Sequence, residues 1–286
     1  AQLPHLDPIP WHTAADSTSR LAMVLDLQRF TDDHTGWNAN RVLLTAILPA
    51  GNRGTFFIRI PHQTFDTGGL SLKGRWPWVL GEDATDGWPG ESRMSSFGQM
   101  DVGLTGPLRL PLMGAGDYAL ALGLPMGTDR VYPFSSTSLP LRLALRKPFD
   151  LGGRRRLNIV GTLLQHMGSG KDYLNDSAFP SGYHLGASFD WYRSQGGRFG
   201  VAYDMHDRDG RLSKLVSARL WFPWSERGAI GLEAARETAG TLDRPAAWQF
   251  TLSWRLNSGK YRAGHEVPPE VVPGTLPDEP PKPRPR

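Results

Sequence analysis

An apolar residue at every second position, sustained through twelve separate stretches, is the feature that most limits what this chain can become. Side chains repeat with that period on a β-strand, where successive residues point to opposite faces, and not on a helix. Within 20–30, Leu21, Met23, Leu25 and Leu27 share one face. Within 182–192 the shared face carries Tyr183, Leu185, Ala187, Phe189 and Trp191, and within 247–256 it carries Trp248, Phe250, Leu252 and Trp254. The other stretches are 40–48, 55–61, 99–110, 117–124, 138–146, 156–165, 198–207, 214–222 and 228–235. Most approach the length that carries a tilted strand across a bilayer.

The segments between these stretches alternate in length. Those at 31–39, 62–98, 125–137, 166–181, 208–213 and 236–246 are read as the long set. Those at 49–54, 111–116, 147–155, 193–197 and 223–227 are read as the short set. Outer-membrane barrels have short periplasmic turns and longer extracellular loops, whereas a soluble sandwich has no reason to alternate. The expected fold is therefore all-β: a transmembrane antiparallel up-and-down β-barrel of about twelve strands, with short periplasmic turns and long extracellular loops. An even strand number returns both ends to the periplasm. Trp191, Phe199, Phe222, Trp224 and Trp254 fall near one rim, and Tyr183, Tyr203 and Trp248 near the other, as interfacial girdles would.

Composition is consistent with this. The chain of 286 residues has 33 glycines, 24 prolines and no cysteine. No apolar run reaches the ~18 residues of a membrane helix, which says nothing against strands. The formal charge of +4 raises the question of nucleic acid. The arginines are scattered along the strands and no basic helix is visible, so no nucleic-acid partner is expected. Residues 1–17 lack periodicity and are read as a periplasmic N-terminal segment, 18–257 as the barrel. Residues 258–286 are proline-rich and read as a disordered periplasmic tail. Ala1-Gln2-Leu3-Pro4 reads as the start left after signal-peptide removal, which places the chain in a bacterial outer membrane.

The stretches FGQMDVGLTGPLRL at 97–110 and GAGDYALALGLPMGTDR at 114–130 resemble outer-membrane barrels of the transporter family linked to phenol-degradation meta-pathway operons. The residues that carry the likeness are Asp101 and Asp117, each near the start of a strand, and Gly123-Leu124-Pro125-Met126-Gly127 at a strand end. WQFTLSWRL at 248–256 is similar to the terminal signal read by the barrel-assembly machinery. The resemblance implies transport.

If the apolar stripes face lipid, the alternate residues line the lumen. The candidates are Asp26, Arg59, Asp101, Arg142, Arg146 and His184, continuing with Asp190, Asp204, His206, Arg219, Glu233 and Arg255. Buried charges need partners, so Arg–carboxylate networks are expected across the lumen. Many alternate positions are small, among them Gly103, Ala121, Gly186, Gly200 and Gly231, and are expected to leave open space. Across the hairpin at 194–197, His184 should stand nearly opposite His206 with Asp204 diagonal to them, most simply as a hydrogen-bonded cluster. No catalytic residue, metal or cofactor is expected. In 62–98, Trp76, Trp78 and Trp88 are expected to pack on the barrel's mouth. The function expected is a channel or transporter for small solutes, surrounded by outer-membrane lipid and lipopolysaccharide. The alternative is a structural or scaffold subunit of an envelope assembly, docking through the long loop and a periplasmic or envelope partner of 258–286.

Overall fold

A computed structural model describes residues 21–32, 38–50, 54–66, 93–97, 100–110, 114–124, 126, 139–167, 182–193, 197–208, 211–225, 227–240 and 247–258. The loop tryptophans, residues 1–17 and all of the tail beyond Ser258 lie outside these residues. The strands are β1 (Ala22–Asp32), β2 (Asn38–Ala50), β3 (Gly54–Asp66), β4 (Arg93–Phe97), β5 (Met100–Leu110), β6 (Gly114–Leu124) and β7 (Leu139–Gly152). They continue as β8 (Arg155–Met167), β9 (Gly182–Tyr192), β10 (Arg198–Arg208), β11 (Arg211–Ser225), β12 (Gly228–Gly240) and β13 (Ala247–Asn257).

Neighbours in sequence are neighbours in the sheet, all antiparallel, and β13 pairs with β1 from Ala22↔Asn257 to Asp32↔Ala247. That last pairing closes the wall, so no ladder edge is left open between the first and last strands. Ser258 N–H extends the seam by donating to Leu21 C=O at 2.8 Å. The architecture is a closed twelve-strand antiparallel up-and-down barrel, because β4 and β5 occupy one place in it. Both pair with β3, β4 along His62–Asp66 and β5 along Thr55–Arg59. From Arg59 to His62 is three steps, whereas from Phe97 to Asp101 on the opposite side is four, so one extra residue is accommodated there. Pro61, which has no N–H to give to a ladder, lies in that interval. The segment 62–98 is thus partly wall, which its sequence did not suggest.

The strands run longer than the alternation alone marks, and the connections shrink. Between β7 and β8 only Gly153 and Arg154 remain, with φ of 56° and 60°, after Gly152 at 73°. Two successive left-handed residues are what a tight hairpin needs to follow the twist of its strands. A departure in kind is at the opposite rim. Arg208 pairs with Arg211, so the β10–β11 connection, expected to be long, is two residues. Its dipeptide, Asp209-Gly210, is a strong short-hairpin signal.

Burial alternates as the sequence period requires. In β2, Arg41, Leu43, Thr45 and Ile47 are buried, while Val42 and Leu44 between them are exposed. Apolar side chains are abundant on the outside, for example Leu120, Leu143, Leu163, Leu185, Val216, Leu232 and Phe250. Inside, Ala22, Ile47, Phe57 and Ala121 form a small apolar cluster with Val24 against it.

Candidate functional site

The inner wall carries the polar chemistry, in three groups. In the first, Arg59 and Asp101 face each other across β3 and β5. Arg59 donates from Nε at 3.0 Å and Nη2 at 2.6 Å to Asp101 Oδ2, and Arg142 Nη1 on β7 donates to Oδ1 at 2.9 Å. Asp101 is 1% exposed, so a lone carboxylate there would carry a large desolvation cost. Two guanidiniums offset that cost with charge-assisted bonds. Arg142 reaches Asp101 over β6, whose inner positions there are Ala121 and Gly123.

In the second group Asp190 on β9, also 1% exposed, accepts from Asn158 Nδ2 at 2.9 Å and from Arg219 Nε and Nη2 on β11, each at 3.3 Å. Arg198 Nε lies 3.9 Å away. The strand between β9 and β11 is β10, and its residue at this level is Gly200. A Cβ on Gly200 would collide with Asp190 Oδ1 and come within 3.0 Å of Arg219 Nε. Glu233 stands opposite Arg219 on β12.

The third group sits toward the long-loop rim. His184 and His206 are direct cross-strand partners, with rings stacked at 4.4 Å and 14°. His184 Nε2 is 2.7 Å from Asp204 Oδ1, and Gly186 beside them leaves the room for that bond. The imidazoles lie face to face instead of aiming at a common point. Among the described residues no group of three or more His, Cys, Asp or Glu side chains could hold a metal ion.

The other expected site residues are more local. Arg146 binds Asp117 at 2.6 Å, its direct partner across β6 and β7. Asp26 is buried on β1 opposite Leu43. Arg255 Nε donates to Asn257 at 3.3 Å.

Two expectations are corrected. The ion pairs named here run along the wall, between strands that are adjacent or one strand apart, and do not bridge the interior. A neighbouring strand lies about 4.8 Å away and its inward side chains already point the same way, so it is the nearest source of a counter-ion. The small inner residues do not simply leave open space either. Phe57 lies against Gly103 and the Trp221 indole against Gly231, within 2.7 Å of where a Cβ would be. Trp221 and the buried Tyr192 are inner-wall aromatics that the sequence reading passed over. The signal was available in strand parity, since Tyr192 is in phase with Asp190 and Trp221 with Arg219.

No protein-family model matches the sequence, and comparison with curated proteins gives no match. Solved structures do match. The COG4313 outer membrane channel from Pseudomonas putida F1 superposes with a TM-score of 0.65 at 14% identity, covering 88% of this chain and 99% of that one. The NanC porin gives 0.51 at 8% identity, covering 81% and 98%. The likeness is one of fold. It extends over nearly the whole of both other chains, so a barrel of this outline needs little common sequence.

Proposed function

We propose that the protein is an outer-membrane channel passing small polar solutes through the barrel. The observation that carries this reading is the opposite chemistry of the two faces of one wall. Outside, large apolar side chains stand exposed in every part of the barrel, a surface that water disfavours and hydrocarbon accepts. Inside, the buried carboxylates of Asp101 and Asp190 hold Arg59, Arg142 and Arg219 along the wall. Twelve strands enclose more space than the roughly eight that side chains fill completely. Holding the charges against the wall keeps them out of the axis while leaving polar groups for a solute to exchange with. Both superposed structures bear names of pores, an outer membrane channel and a porin.

The finer assignment, to the transporter family linked to phenol-degradation meta-pathway operons, rests on the residues at 97–130 and is part of this proposal. The test is electrical. Purified protein added to planar lipid bilayers is expected to give discrete conductance steps. A folded, inserted barrel that passes no current above background ends the channel reading.

A further inference from the structure

The outer face of β1, β13 and β12 is stratified. Midway up the wall the cross-strand row is Val42–Leu27–Leu252–Leu232, apolar throughout. Two residues nearer the long-loop rim the row reads Asn40–Arg29–Phe250–Ala234, and two residues further it reads Asn38–Thr31–Trp248–Arg236. Arg29 and Arg236 are both exposed, one on either side of β13. At ~3.3 Å per residue they stand about 7 and 13 Å of strand above the leucine row.

Among the described residues neither guanidinium is paired with a carboxylate. Among the described residues the outward positions of β1, β2, β12 and β13 include no Asp or Glu. Arg29 Nη2 has Asn38 Oδ1 at 3.4 Å, and Arg236 lies over the Trp248 ring at 4.9 Å, which orients the cation without cancelling it. Trp248 and Phe250 are stacked at 5.8 Å and 4° between the two arginines. Guanidinium is the side chain best matched to phosphate oxygens, and an aromatic platform suits the boundary between headgroup and acyl chain.

We propose that this patch binds the phosphorylated headgroup of an outer-leaflet glycolipid, with Arg29 and Arg236 holding phosphate and the leucine row below receiving the acyl chains. The proposal rests on the outer-membrane reading above and adds a ligand site to it. Two cations directly above an apolar band, with no acidic residue among the described outward positions of these four strands, fit that amphiphile in both charge and height.

The test uses the refolded full chain, native mass spectrometry, and purified diphosphorylated lipid A as the probe. Wild type is expected to retain the lipid, and its enzymatically dephosphorylated form at least tenfold less. The double variant Arg29→Gln/Arg236→Gln, checked as folded by heat-modifiable gel mobility, is expected to show the same tenfold loss. Inorganic phosphate at lipid-matched concentration is expected to displace nothing. Equal retention of the dephosphorylated lipid by wild type overturns the site even if the variant does not fold, as does equal retention by a folded variant. Displacement by free phosphate also overturns it, because the site would then recognise a small anion. None of these results touches conductance, so the lipid site and the channel reading fail separately. Only a chain that enters no bilayer sinks both.

Discussion

Asp190 and Arg219 bind each other at 3.2 Å from strands that are not neighbours, with the bare backbone of Gly200 lying between them. A side chain at Gly200 would occupy the contact. Gly200→Ala is therefore expected to destabilise the barrel by about 1–3 kcal/mol, the cost of weakening the bonds of a buried carboxylate. Urea unfolding from lipid vesicles followed by tryptophan fluorescence measures this, and an unchanged midpoint refutes it.

Asp101 holds two arginines at once. Asp101→Asn leaves Arg59 and Arg142 with no formal counter-charge at this position, and breaking one side of a buried ion pair costs about 3–5 kcal/mol. The same change makes the inner wall more positive. In a channel, the reversal potential under a salt gradient should move toward anion selectivity. A variant as stable as wild type with unaltered selectivity would show that Asp101 neither anchors the wall nor faces the solute path.

Leu252 and Ser253 are adjacent in β13 and point to opposite faces. An arginine facing lipid near the midplane costs about 2–4 kcal/mol in a transmembrane barrel, so Leu252→Arg is expected to impair folding into vesicles by that amount. Ser253→Arg places the same charge inside, beside Asp26 and Gly231, and is expected to fold but conduct less. Folding yield and single-channel conductance separate the two. The reverse pattern would mean that the faces have been assigned backwards.

The β7–β8 turn holds Gly153 at a φ of 56°. A β-branched residue is strained there, so Gly153→Val is expected to cost about 1–3 kcal/mol. The effect should appear in thermal melting monitored by the loss of heat-modifiable gel mobility. No change in melting would indicate that the turn relaxes into another conformation.

Period two was enough to locate all twelve wall positions and to say which residues share a face, because a pleated strand offers no other arrangement. It placed His184 opposite His206 for the same reason, the short link at 193–197 setting that hairpin's register. Asp209-Gly210 was equally legible and was passed over in favour of the general alternation of loop lengths.

What the strand pattern could not reveal is which charges meet. Asp190–Arg219 and Asp101–Arg142 join residues on strands one apart, so each depends on two registers at once and on a small residue in between. The break between β4 and β5 depends in turn on how Pro61 falls against a segment more than thirty residues away in the chain. Local sequence determined the strands and their two faces. Only the registers of the assembled sheet decided the partners, because a side chain's electrostatic environment is set by strands that lie beside it in space, at a stagger that no single strand encodes.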